Sequence, residues 1–222
     1  KLGADIILCN TYHLMLRPGE QLINKLGGIH KFMNWKKPIL TDSGGFQVMS
    51  LSNLSHKLKN GVEFKSHIDG KKYFLSPEYS IKIQQSLGSD IIMCFDDCAS
   101  FNSDKKEVHQ SMKRSVQWAF RSKEQFDLNK TGVLFGIQQG GIYNDLRDES
   151  TSSLMEVDFN GFAIGGLAVG EPQDKMFEIL DYSANKFPFN TELTPPPYSS
   201  FLLSLYQVFS LNLLILKFFC EL

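Results

Sequence analysis

Apolar residues recur along this chain in two rhythms. Short, mostly apolar runs of four to six residues fall at 5–9, 38–41, 90–95, 133–137 and 161–164, and each ends in small or polar residues. Such runs predict parallel strands buried on both faces. Between them, apolar positions return at helical spacing. Residues 18–26 read as a helix with Pro18 in its first turn and Gly27-Gly28 as its stop. The next helix opens at Ser76, an N-cap serine followed by proline at the first helical position, and closes at Leu87-Gly88. Residues 105–126, 143–157 and 171–186 complete the helical series. Residues 62–66 and 72–75, joined through Asp69-Gly70, read as an inserted β-hairpin.

Strand–helix units repeated in this way predict an α/β fold. With no G-x-G-x-x-G, no Walker sequence and no internal repeat, the expectation is an incomplete (β/α)8 TIM-type barrel rather than a dinucleotide fold. The length, 222 residues, suits one sizeable domain or a large barrel short of completion. Hydrophobic residues at 42% and charged residues at 21% are ordinary for a soluble globular protein. The formal net charge of -1 excludes a general basic field for nucleic acid, so any RNA contact has to be local. Cys9, Cys94, Cys98 and Cys220 form no C-x-x-C pair, which speaks against structural zinc. With no secretory signal, they predict a reduced, cytoplasmic setting. Cys94 is expected to be strand packing.

The chain opens at Lys1 without methionine and enters its first strand-like run almost at once, while Pro195-Pro-Pro-Tyr198 breaks the pattern further on. We therefore expect 1–190 to be a partial barrel cut at both ends, and 191–222 to be an apolar tail foreign to that fold. Residues 201–219 approach the length of a membrane span. Gln207, Asn212, two serines and Lys217 interrupt them, so no membrane is expected.

Polar residues and glycines gather where the predicted strands end. The clusters are Asn10-Thr-Tyr-His13, Asp42-Ser-Gly-Gly-Phe-Gln47, Asp96-Asp-Cys98, Gln138-Gln-Gly-Gly141 and Gly165-Gly-Leu-Ala-Val-Gly-Glu171. In a βα barrel such positions converge on the face where active sites are built. Their chemistry suits a flat, hydrogen-bonding heterocycle. Carboxylates accept from ring N–H and amino groups, and a glutamine amide both donates and accepts. Glycines admit the backbone to a ring edge, and Phe46 offers a stacking face of the kind that enzymes extracting a base from RNA use. A guanine-like base presents N1–H and a 2-amino group as adjacent donors, with O6 and N7 as acceptors. Asp96, Gln139 and the Gly166 amide would complement that edge.

Four long motifs carry a resemblance. Asn10-Thr-Tyr-His-Leu-Met-Leu-Arg-Pro-Gly19, Leu40-Thr-Asp-Ser-Gly-Gly-Phe-Gln-Val-Met-Ser-Leu51, Phe64-Lys-Ser-His-Ile-Asp-Gly70 and Gly161-Phe-Ala-Ile-Gly-Gly-Leu-Ala-Val-Gly-Glu171 resemble tRNA-guanine transglycosylase, also called queuine tRNA-ribosyltransferase. The resemblance runs over residues 1 to about 188. It implies a zinc-containing (β/α)8 barrel that forms homodimers. It also implies exchange of guanine at the tRNA wobble position for a 7-deazaguanine, through a covalent ribosyl-aspartate, in queuosine biosynthesis.

Residue by residue, the resemblance gives Asp42 general acid/base work and puts Ser43, Gly44, Gly45 and Phe46 in the base pocket, with Phe46 stacking. Asp96 binds the base's N1 and amino group. Gln139 and Gly166 meet its O6 and N7 side, and Leu167 offers a backbone carbonyl near the 7-substituent. Cys98 and Val169 resemble the bacterial variant, which takes 7-aminomethyl-7-deazaguanine. The family's nucleophilic aspartate and its Cys-x-Cys-x-x-Cys and histidine zinc site have no counterpart in 191–222, so this chain is expected to be inactive as written and to hold no metal.

Plainer readings stand beside these. An aspartate at a strand end is ordinarily a cap or turn residue, but the motif around Asp42 argues for chemistry. Asp97 stays open between structure and function. Gln138 reads equally as a core partner, and His13 and His67 as satisfied structural residues rather than metal ligands. Lys113, Arg114, Arg121 and Lys123 read as a solvated helix face. Two rival functions are a non-catalytic base- or tRNA-binding subunit of a transglycosylase and a tail-anchored membrane protein.

Overall fold

The computed structural model describes residues 3–51, 55–187 and 213–218. They fall into two compact units, Lys1–Asp96 with Gln117–Phe135, and Asp97–Val116 with Gly136–Leu222. In the first unit, β1 (Ile7–Cys9) is followed by three short helices, α1 (Thr11–Leu16), α2 (Glu20–Lys25) and α3 (Ile29–Met33). Strand β2 (Ile39–Thr41) leads into α4 (Gly45–Leu51). Strands β3 (His56–Leu58), β4 (Gly61–Lys65) and β5 (Lys72–Leu75) precede α5 (Pro77–Leu87) and β6 (Ile91–Met93). Helix α6 (Lys105–Asp127) and strand β7 (Val133–Gln138) each have residues in both units. The second unit holds α7 (Asn144–Leu154), β8 (Gly161–Gly165), α8 (Gln173–Ala184) and β9 (Leu213–Phe218).

Strands β1, β2, β6 and β7 lie side by side and parallel, with Ile7 opposite Ile39, Leu40 opposite Ile91, and Ile91 opposite Val133. Every residue of β2 and β6 is buried, as runs without alternation require. The fold is α/β, consistent with part of a TIM-type barrel, and no closed barrel forms among the described residues.

Helix α5 follows its sequence signals. The Ser76 hydroxyl accepts from the Tyr79 amide at 3.2 Å, Pro77 takes the first helical position, and Gly88 ends the helix in the left-handed region. Helix α2 differs from expectation. It begins at Glu20 with Gly19 as its N-cap, so Pro18 stands before the helix and not in its first turn. Helices α1, α3 and α4 and strand β3 escaped the sequence pattern. At three to seven residues they are too short for a period to register. Only α1 had left a signal, since Asn10 caps it by accepting from the His13 amide at 2.9 Å.

The expected hairpin is present as β4 and β5, with Val62 opposite Leu75 and Phe64 opposite Tyr73, and β3 extends it to three antiparallel strands. Its inner face is buried through Val62, Phe64 and Leu75, and Phe64 meets the ring of Tyr12 at 5.4 Å. Trp118 stacks on Phe95 at 4.8 Å in the same core. Within the second unit, Val108, Met112 and Leu146 pack together, and Phe162 stacks on Phe187 at 4.8 Å.

The 191–222 segment was expected to be a tail foreign to the fold. Its described part, β9, pairs antiparallel with β8 from Gly165 opposite Leu213 to Gly161 opposite Phe218, with a bulge at Gly161/Phe162. The remainder of that segment lies outside the described residues. No helix among the described residues is long and apolar enough to cross a membrane.

A buried amide ties α5 to the strand ends. Gln84 is inaccessible to solvent, accepts from the Met93 amide at 2.9 Å and donates to the Met93 carbonyl at 2.9 Å and to Ser80 Oγ at 3.1 Å. Thr41 hydrogen-bonds the same amide oxygen at 2.8 Å. Ser80 in turn donates to the Ser43 carbonyl at 2.6 Å. Gln84→Leu keeps the volume but orphans several buried groups, each costing about 1–3 kcal/mol. Urea denaturation should show a loss of at least about 2 kcal/mol, against a few tenths for the exposed Lys82→Ala. Equal effects would show that the network carries no weight.

Candidate active site

Asp42 follows β2 directly and is buried. Its Oδ1 accepts from the backbone amides of Thr11 and Gly44, both at 3.0 Å, and its Oδ2 from Asn10 Nδ2 at 2.7 Å. The Thr11 hydroxyl donates to the Asp42 carbonyl at 2.6 Å. Burial pushes the carboxyl up to about 7, against the opposing pull of the Thr11 and Gly44 amides and with a further push from Asp96. Such a group both gives and takes a proton near neutrality. The same burial, with Asp42 close by, pushes the Cys9 thiol up to about 11, so that thiol is inert packing.

Ser43 links this turn to the end of β6. Its hydroxyl accepts from the Gly45 amide at 3.1 Å and donates to Asp96 Oδ1 at 2.8 Å. A Cβ on Gly45 would stand 2.6 Å from the Asp96 carbonyl oxygen, so the close approach requires glycine. Phe46 lies half-buried at the start of α4. The first unit thus brings together Asp42, Ser43, Gly44, Gly45, Phe46 and Asp96.

The second unit carries the other expected residues. Gln139 is buried just past β7, and Ser150 Oγ accepts from its amide at 3.1 Å. Gly166 follows β8 at φ 67°, where a Cβ would come 2.5 Å from Gln139 Oε1. Leu167 is buried beside it. The loop beyond is pinned by Glu171, which accepts from the Ala168 amide and from the Val169 amide at 2.9 Å. A narrow cleft here is lined by Phe101, Tyr143, Gly166, Val169 and Glu171. Cys98 is half-buried.

Several side chains fall outside the expected set or change their meaning. Gln138 is a core partner, donating to Thr151 Oγ1 at 2.6 Å. Asp97 is buried and paired with Arg114, and its amide donates to Ser115 Oγ at 2.8 Å, so it anchors the chain. That corrects the reading of Arg114 and Arg121 as part of a solvated face, on which Lys113 does lie exposed. Arg114 grips a buried carboxylate, and Arg121 forks onto Glu78 at 2.6 and 2.8 Å. His67 hydrogen-bonds Tyr12 at 3.0 Å and meets His13 edge-on at 6.1 Å, which fits a structural role. Sequence reasoning missed Gln84, Ser80 and Arg147 altogether. Among the described residues no group of three or more His, Cys, Asp or Glu is placed to hold a metal ion. These residues do not fit the zinc that the resemblance implies.

The α/β scaffold carries carboxylates and glycines at its strand ends, and the sequence that forms it matches a known family. The sequence profile described as queuine tRNA-ribosyltransferase matches residues 1–192. A protein of that name from Jannaschia sp. is 58% identical over 186 residues, covering 84% of this chain and 50% of the relative. Those from Zymomonas mobilis and Caldanaerobacter subterraneus are each 56% identical, over 190 and 188 residues, with 49% and 50% of the relative covered. The chain belongs to the queuine tRNA-ribosyltransferase family. It spans about half the length of the curated relatives it matches.

The Asp42 environment has a pH signature. The folded chain keeps the Asp42 proton up to about 7, whereas an ordinary aspartate releases it near 3.8. The contribution of protonated Asp42 is therefore fully present below 3.8 and is lost as pH rises through 7. Over that window the loss reaches up to about 4 kcal/mol, at 1.36 kcal/mol per unit. Asp42→Asn cannot ionise and lacks this decline, although it disturbs the Asn10 contact at every pH. Urea unfolding at pH 4 and pH 8 should move the variant-minus-parent difference in the variant's favour by about 2–4 kcal/mol. A difference that does not move contradicts the assignment.

Proposed function

We propose that this chain supplies the base-handling part of a tRNA-guanine transglycosylase. The reaction exchanges guanine at the wobble position of cytoplasmic tRNA for 7-aminomethyl-7-deazaguanine, in queuosine biosynthesis. The observation that carries this reading is a near-neutral carboxylic acid, Asp42, set one residue before a serine that holds the Asp96 carboxylate.

In base exchange the C1′–N9 bond of guanosine breaks, and its electron pair leaves with the base, which must gain a proton. The incoming base loses its own N9 proton as the new bond to C1′ forms. Asp42, with its proton held near neutrality, is suited to both transfers, and such a group contributes typically about 10²–10⁴-fold in rate. Asp96 accepts from N1–H and the 2-amino group, held in orientation by Ser43. The family resemblance gives Gln139 and the Gly166 amide the O6 and N7 side, Leu167 the 7-substituent through its carbonyl, and Phe46 the stacking face. Gly44 and Gly45 keep the turn thin beneath it. Cys98 and Val169 limit the 7-substituent to a group of aminomethyl size. The ribosyl acceptor of the covalent intermediate is assigned to none of the described residues.

The donor edge gives the test. Asp96→Ala leaves two ring donors without an acceptor, at about 1–3 kcal/mol, so guanine affinity should fall roughly ten- to a hundredfold. Hypoxanthine, which is guanine without the 2-amino group, should bind the parent poorly and lose less on substitution. Calorimetric titration of the parent and Asp96→Ala chains with both bases reads this directly. Four additive free energies would mean that Asp96 does not read that edge.

A further inference from the structure

Helix α7 presents three polar residues, Arg147, Ser150 and Thr151, on one buried face. Their spacing of three and four residues places them over the turn that follows β7. Arg147 is inaccessible to solvent. Its Nε donates to the Gly141 carbonyl at 2.9 Å, and its Nη1 to the Gly165 carbonyl at 2.7 Å and more weakly to Gln138 O and Oε1 at 3.4 and 3.3 Å. Each of these partners is a carbonyl or amide oxygen. Its Nη2 is buried and, among the described residues, has no hydrogen-bond partner. That nitrogen lies 3.6 Å from the point a Cβ on Gly166 would occupy, and the same point is 2.5 Å from Gln139 Oε1.

A guanidinium wholly removed from water, with carbonyl and amide oxygens as its hydrogen-bond partners and Glu171 acting on it through its charge alone, is costly. Burial pulls it down to about 10, so it is still a cation at neutral pH. A merely structural role would be served by the three carbonyl contacts. The orphaned Nη2 donor beside Gly166 is what such a role leaves unexplained, and it fits a site whose ligand brings an acceptor.

We propose that Arg147 is a positioning residue for the acceptor edge of a purine base. By clamping the carbonyls of Gln138, Gly141 and Gly165 it fixes the Gln139 side chain and the Gly166 amide. Its Nη2 completes the donor set that an O6-bearing base meets there. This inference rests on the base-site reading given above and adds to it the group that pre-organises the O6 donors.

The test compares guanine with 6-thioguanine, which keeps N1–H, the 2-amino group and N7 but replaces O6 by a weaker acceptor. Both are titrated calorimetrically into the full chain and into Arg147→Met, which fills the same space without charge or donors. Guanine affinity should fall about thirtyfold and 6-thioguanine affinity less than about threefold, so that the preference for oxygen collapses. Equal losses on the two bases overturn the inference and leave the base-site reading intact. A parent chain that binds neither base overturns both. If Arg147→Met does not fold, Arg147→Lys carries the comparison, since it keeps a buried cation but loses the planar fork. Guanine should then lose about tenfold more than 6-thioguanine, and equal losses again overturn the proposal.

Discussion

The first unit is organised around one buried carboxyl group. Asp42 sits at the end of a three-residue strand whose every side chain is buried, and it must find its hydrogen bonds locally. It finds them in the first turn of α1, in the Asn10 side chain and in its own turn at Gly44. Asn10 therefore serves two masters, since its Oδ1 caps α1 while its Nδ2 serves Asp42. The pair joins the ends of two neighbouring parallel strands, β1 and β2, and through Ser43 the end of β6 follows. Removing the charge without moving the atoms is what the burial favours, and a proton shared with solvent near neutrality is the result.

The second unit meets the same difficulty with the opposite charge. Arg147 is buried among carbonyls at the ends of β7 and β8, where the chain turns through glycines. Both solutions use side chains from a neighbouring helix or turn to satisfy backbone groups that the strand ends leave without a ladder partner. Gln84 does this for Met93 in the first unit, and Ser150 does it for Gln139 in the second. Polar groups so placed are rigid because every alternative leaves a buried partner unpaired.

Much of this was legible in the sequence. All five predicted strands appear within a residue or two, because runs such as Ile39–Thr41 and Ile91–Met93 are mostly apolar and buried on both faces. The N-cap at Ser76 and the stop at Gly88 were read correctly from turn chemistry. Family-specific motifs then pointed to Asp42, Ser43 and Asp96, which the first unit does bring together, as the second does Gln139 and Gly166. What stayed hidden was of two kinds. Helices of five to seven residues carry too little periodicity to stand out, and α2 begins at Glu20, after a Gly19 N-cap, rather than at Pro18. Buried polar residues were the other blind spot. Gln84, Arg147 and Arg114 look like solvated positions on amphipathic helices, because a period reports where apolar residues go and not where a polar one has found partners.

The central claim is that Asp42 holds its proton at neutrality, and the direct measurement is its titration. With aspartate carboxyl carbons labelled by 13C, the resonance assigned through its loss in Asp42→Asn is followed from pH 3 to pH 9. The account predicts a midpoint of about 7. A midpoint near the ordinary aspartate value of 3.8 would contradict it, for then the carboxylate would be fully ionised at neutral pH and in no position to give up a proton.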